Sequence, residues 1–220
     1  MIPPSDQPAL RELGQELSHV ADTFDRVIAG NRTYAKQFAK EDPALLKSLA
    51  AGQSPEILWI GCADSKVPET TICHCKPGEL FVHRNIANVV QPGDVNSSSV
   101  IEYSVAHLKV KKIIVCGHTN CGGANAALGD ADLGETLNTW LESVRALRRK
   151  HIDELNKLPS DDARANRLAE FNVENSIETL RRNPIVADAM KERDLEIHGF
   201  IYDVPAAKLL ILDVAQRQPL

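Results

Sequence analysis

Residues 57–66, ILWIGCADSK, constrain this chain more than any other stretch: an apolar run ends in a thiol, Cys62, and then a carboxylate, Asp64. Ile57, Leu58, Trp59 and Ile60 follow neither the alternation of a half-buried strand nor a helical period. That is the pattern of a strand covered on both faces, as in a parallel sheet. In open α/β sheets ligands bind beyond the carboxyl ends of the strands, and the polar CADS sits where this strand runs out. A second stretch repeats the form: KIIVCGHTNCGG, residues 112–123, is an apolar strand ending in His118 and then Cys121. Two strand ends thus offer four ligand-type groups to one site.

The rest of the chain alternates strands with helices, as a mainly parallel sheet requires. Residues 1–15 are polar and expected to be flexible, and a helical pattern runs from Leu17 to Ala39 with Val20, Phe24, Val27 and Ile28 at helical spacing. A short helix follows Asp42-Pro43 and is stopped by Gly52. ELFVHRN (79–85) reads as the second strand, entered through the Pro77-Gly78 turn. Asp94 or Asn96 caps a helix through SSVIEYSVAHL, which leads to the third strand, 112–118. From about Leu133 to Arg182 repeated charges predict peripheral helices, with the runs at 145–150 and 160–169 on solvated faces. LEIHGFIYDV (195–204) and KLLILDV (208–214) form a closing pair joined at Pro205. The expected architecture is a single α/β domain over residues 1–220. It has an N-terminal helical arm and a mainly parallel sheet of about four strands plus an antiparallel edge strand, flanked by helices.

With 43% hydrophobic and 25% charged residues, the 220-residue chain has an ordinary globular composition. A net charge of −5 without a long basic run argues against a nucleic-acid surface. No apolar run approaches the roughly 18–20 residues that span a bilayer. The N-terminus lacks both the apolar core of a signal peptide and the Arg-rich character of a transit peptide, so the expected location is cytoplasmic. Five cysteines, an odd number, fit metal ligands and buried thiols better than a disulfide framework.

His118-x-x-Cys121 alone is a weak metal signal, with a core histidine and an inert thiol as the plain alternative. Cys62 at the end of another strand strengthens it. Two thiolates and an imidazole suit Zn²⁺, and three protein ligands leave the fourth position that catalytic zinc needs. Asp64 either takes that position or stands beside it. A helix starting at Gly122-Gly123 would lower the pKa of Cys121 towards thiolate.

CADSK at 62–66, GELFVHRNIAN at 78–88 and HTNCGG at 118–123 together resemble the β-class carbonic anhydrases, over roughly residues 30–204. The resemblance implies one Zn²⁺ per chain on Cys62, His118 and Cys121, a homodimer or larger assembly of dimers, and reversible hydration of CO2 to bicarbonate. Zinc lowers the pKa of bound water from about 15.7 towards about 7, which gives a hydroxide nucleophile near neutrality. A dry pocket lined by Phe81, Ile86 and Tyr103 would suit CO2. By resemblance, the Gly122 amide and Gln53, the latter from across the dimer interface, would hydrogen-bond substrate or bicarbonate oxygens. Asp64 would accept the hydroxide's proton in a hydrogen bond and so fix its lone pair on the carbon.

The chain departs from the family at Lys66, where arginine is usual. Arginine clamps a carboxylate through a planar double contact, whereas lysine is a flexible point charge. Either Asp64 then binds the metal more readily and activity falls, or Lys66 pairs with Asp64 well enough for normal turnover. Relatives with these motifs also hydrolyse carbonyl sulfide or carbon disulfide, and a closed site would leave a non-catalytic zinc- or bicarbonate-binding homologue. One subgroup carries a tryptophan, an arginine and a tyrosine in a bicarbonate pocket that favours the aspartate-ligated state. Trp59, Arg84 and Tyr202 match all three, against plain readings as a core indole, a structural ion pair and a strand tyrosine. Such regulation requires bicarbonate to bind the closed state more tightly than the open one.

Other candidates are set aside. Cys73-His74-Cys75, on an extended segment, has no partner pair at zinc spacing and is expected to be ordinary thiols. Cys116 is expected to pack within its strand, and His83 and His198 to be satisfied core or interface histidines. His19, His107 and His151 are expected on helical surfaces.

Overall fold

The computed structural model describes residues 22–213, which fall into two compact units divided between Gln53 and Ser54. The expected flexible segment 1–15, the start of the first helical pattern with His19, and Val214 lie outside the described residues.

The first unit holds helices α1 (Thr23–Glu41) and α2 (Pro43–Ala51). Asp22 caps α1 by accepting from the Phe24 N–H at 2.9 Å. Asp42 ends α1 and caps α2, accepting from the Leu45 N–H at 3.1 Å, and Pro43 takes the first turn, where its missing N–H costs nothing. No residue of either helix is buried.

The second unit is built on a five-stranded sheet in the order β2-β1-β3-β4-β5. Its strands are β1 (Ile57–Cys62), β2 (Leu80–Asn85), β3 (Lys112–His118), β4 (Glu196–Asp203) and β5 (Lys208–Leu212). The first four are parallel, and β5 runs antiparallel at the edge, as the alternation of the sequence implied. The register pairs Cys62 with Asn85 and His118 with Tyr202, so these residues share the carboxyl edge of the sheet. One face, with Leu58, Ile60, Ile113 and Val115, joins the main core; the other buries Trp59, Cys116 and Tyr202 with Val67.

The helices of this unit are α3 (Glu69–Ile72), α4 (Val95–Glu102), α5 (Gly122–Ala127), α6 (Glu135–Lys150), α7 (Ile152–Leu155), α8 (Asp161–Arg182) and α9 (Pro184–Arg193). Asp94, not Asn96, caps α4, accepting from the Asn96 and Ser97 N–H groups. A single π turn, Tyr103–His107, continues it. No described helix is long and apolar enough to cross a membrane.

The charged region departs from expectation. α8 is a core helix: Leu168, Phe171, Val173, Ile177 and Leu180 are buried along it. It lies so close to the sheet that a Cβ on Gly117 would come within 3.0 Å of Val173 Cγ2. Arg145 and Arg148 are buried rather than solvated, because each finds acceptors for its guanidinium. Arg145 donates to the Ala131 carbonyl at 2.9 Å, and Arg148 to the Ala127 carbonyl and Asp130. The helix α9 was not anticipated from the sequence; Asn183 caps it and Pro184 begins it.

Candidate metal centre

Cys62 closes β1, His118 closes β3, and Cys121 caps α5 three residues on. Their ligand atoms all lie within 4.8 Å of one another, and all three residues are buried. Nδ1 of His118 is 2.9 Å from the Thr119 carbonyl, which can only accept, so the proton sits on Nδ1 and the lone pair on Nε2. That Nε2 is buried with no hydrogen-bond partner. A buried, unpartnered imidazole nitrogen beside two thiols is costly as it stands and is what a metal ion would satisfy. The residues therefore fit zinc, with two sulfurs and one nitrogen as ligands.

The two thiols share a proton unevenly. The hydrogen bond with Cys121 outweighs burial and lowers Cys62 to about 4. The same bond and burial push Cys121 up. The amides of Gly123 and Ala124 at the start of α5 act as expected from the helix terminus but are overridden, so they do not bring Cys121 below the ordinary thiol range.

Asp64 lies two residues beyond Cys62, with Oδ2 3.8 Å from His118 Nε2. Oδ1 accepts from the Lys66 backbone N–H at 2.9 Å, and Oδ2 faces the Lys66 ammonium at 3.1 Å. Partial burial opposes ionisation of Asp64, but the Lys66 contacts win and hold it below the usual carboxylate range. The Lys66 ammonium also donates to the Asn120 carbonyl at 3.3 Å.

Arg84 supports the same loop from β2. It donates to the Cys62 carbonyl at 2.8 Å and the Asp64 carbonyl at 2.5 Å, and its third side faces Glu69 at 3.6 Å. Trp59 and Tyr202, matched with it at the sequence level, are buried in the smaller core cluster with Cys116.

Ile86, just past β2, approaches the start of α5: a Cβ on Gly123 would be 3.2 Å from its Cγ2. Phe81 and Tyr103 are brought together, ring centroids 5.7 Å apart, but at a distance from the centre. Phe81 pairs with Leu58, four residues back along the strand from the Cys62–Asn85 pair, or about 13 Å at strand rise. Gly122 begins α5 with open space beside its Cα. Gln53 is exposed and belongs to the other compact unit.

Cys73-His74-Cys75 is a turn after α3 rather than an extended segment, with His74 at φ 50°, and among the described residues no second group of three ligands forms. Cys116 is fully buried, and burial pushes its thiol up to about 12. Buried His83 faces the Asn85 amide at 2.9 Å, His198 faces Glu196 at 2.8 Å, and His151 stacks on Phe171. Sequence reasoning missed Glu69, Asn120, Asn166 and Asn172. Their partners lie far along the chain or depend on loop conformation, and no spacing rule reports either.

The carbonic anhydrase family model matches residues 57–209. A carbonic anhydrase of Emericella nidulans is 43% identical over 215 residues, covering 97% of this chain and 91% of that protein. Among solved structures, the β-carbonic anhydrase CafA of Aspergillus fumigatus matches with a TM-score of 0.86 at 49% identity, over 89% of this chain and 93% of that one. A tetrameric β-carbonic anhydrase of Sordaria macrospora matches with a TM-score of 0.85 at 46% identity, over 87% and 97%.

Proposed function

The chain belongs to the β-class carbonic anhydrases, and from that premise we propose that it interconverts CO2 with bicarbonate and a proton, with Lys66 standing in for the family's arginine. The observation that carries this reading is the convergence of Cys62, His118 and Cys121 beside an Asp64 already engaged by Lys66. Zinc bound there would lower the pKa of a water molecule towards about 7 and so supply a nucleophile at neutral pH. Asp64, kept ionised and turned to Lys66, offers an acceptor that orients the attacking water. The Gly122 amide binds one oxygen of bicarbonate, a Gln53 reaching from across a dimer interface binds another, and Ile86 gives the pocket an apolar wall.

We take Phe81, Tyr103 and Gln53 to serve a partner subunit's pocket. In support, β2 is an outer strand of the sheet, and Phe81 and Tyr103 lie towards its far end. A homo-oligomer also accords with the tetrameric relative. Bicarbonate regulation through Trp59, Arg84 and Tyr202 would require the anion to displace Glu69 from Arg84. We place the enzyme in the cytosol, where five free thiols stay reduced.

Stopped-flow CO2 hydration on protein of known zinc content tests the reading. Turnover that rises with pH supports it. Stoichiometric zinc without turnover at any pH overturns it in favour of a closed, non-catalytic site. Hydrolysis of carbonyl sulfide or carbon disulfide in place of CO2 hydration would reassign the substrate.

A further inference from the structure

Lysine at position 66 lacks the planar geometry with which arginine grips both oxygens of a carboxylate, so something else must confine its ammonium. The ammonium lies between two acceptors, Asp64 Oδ2 at 3.1 Å and the Asn120 carbonyl at 3.3 Å. Asn120 sits in the left-handed region, φ 55°, a conformation that asparagine tolerates better than most residues. Its N–H donates at 2.9 Å to Oδ1 of Asn166, which projects from α8. The preceding residue is tied on the other side: the Thr119 N–H donates to the Tyr202 carbonyl at 3.0 Å, and the Thr119 hydroxyl accepts from the Val204 N–H at 3.0 Å. The residue that presents the carbonyl is therefore fastened through its own N–H to α8, and the residue before it to the end of β4.

We infer that Asn166 is a positioning residue for the reaction: it fixes the left-handed turn at Asn120, whose carbonyl holds the Lys66 ammonium on Asp64 and so keeps the aspartate off the metal. Asn166 touches neither substrate nor metal and acts only through Asn120 and Lys66. The inference rests on the proposed function, in which Lys66 restrains Asp64. An arginine at position 66 would need the carbonyl less, because its own double contact already fixes the carboxylate.

The test uses Asn166→Leu, Asn166→Asp, and Asn166→Leu combined with Lys66→Arg, each loaded with cobalt(II) in place of zinc. The visible absorption of cobalt reports whether a carboxylate has joined the ligand set, independently of activity. Asn166→Leu should bind a full complement of cobalt and shift its spectrum towards a carboxylate-bound form. Its kcat should fall roughly fivefold with KM little changed, the factor by which losing one typical hydrogen bond shifts an equilibrium. Asn166→Asp keeps the acceptor oxygen and should match the wild type, and Lys66→Arg should restore the double variant. An Asn166→Leu protein with wild-type spectrum and kcat overturns the inference. So does an equal loss whichever residue stands at position 66, since that marks a merely structural contact. A wild-type protein that is already carboxylate-bound at every pH and inactive is a different result: it overturns the proposed function, and this inference with it.

Discussion

Lys66 engages both oxygens of Asp64, its backbone N–H on Oδ1 at 2.9 Å and its ammonium 3.1 Å from Oδ2. The backbone contact needs no particular side chain, so half of the restraint survives any substitution at position 66. Lys66→Arg should therefore change kcat by no more than about threefold, the scale of one partly exposed ion pair. Lys66→Met should lower kcat by up to about fivefold, the upper range for one partly exposed ion pair. Stopped-flow rates on zinc-matched proteins decide it; a large gain in the arginine variant would mean that the lysine contact is loose in solution.

Most of the sheet was legible because its strands are apolar without alternation and end in the motifs that carry the chemistry. β1 and β3 needed only local pattern, whereas the meeting of Cys62 with His118 and Cys121 depends on which strands lie side by side and rested on the likeness to the β-class carbonic anhydrases. The charged helices were misread for a physical reason. Arg145, Arg148 and the stripe on α8 hide burial behind long side chains whose charged heads find distant acceptors, so composition reads as surface what packing makes core. The contacts of Asn120 and Glu69 were out of reach because they depend on which backbone groups a folded loop leaves facing them.

Zinc binding should release about one proton per ion near pH 7. With Cys62 lowered to about 4 and Cys121 pushed up, the metal-free pair holds one proton at neutrality, while zinc requires both thiolates. Affinity should accordingly rise about tenfold per pH unit around neutrality. Calorimetric titrations in buffers of different ionisation enthalpy count the proton, and a count near zero or near two would contradict the uneven sharing.

Glu69 stands where an anion would meet Arg84, and its Oε2 is buried without a hydrogen bond. On the proposed regulation, a carboxylate so placed would compete with bicarbonate for the one side of the guanidinium that does not hold a loop carbonyl. Glu69→Gln should lower the bicarbonate concentration for half-inhibition by roughly fivefold, the upper range for one such ion pair. If initial-rate inhibition curves for the two proteins coincide, bicarbonate does not act through Arg84.

Gly123 separates a packing requirement from a chemical one. A Cβ there would lie 2.9 Å from Ala87 Cβ and 3.2 Å from Ile86 Cγ2. The turn it would strike cannot easily yield. The Asn85 amide binds both polar groups of Val89, Asn172 donates to the Ala87 carbonyl at 2.7 Å, and Trp140 donates to the Ile86 carbonyl at 2.9 Å. The strain must then pass to α5, whose cap is Cys121. Gly123→Ala should cost about 1–3 kcal/mol, the usual range for overpacking. Each kcal/mol should lower Tm by about 2–4 °C in a chain of this length, and zinc should bind more weakly. Gly122→Ala is the control, because its Cβ would meet nothing within 4 Å. Its Tm should stay near the wild type while any loss appears in turnover, at the amide assigned to bicarbonate. Calorimetry with a zinc competition assay reads both variants, and equal Tm values for the two would show that the 86–87 turn gives way after all.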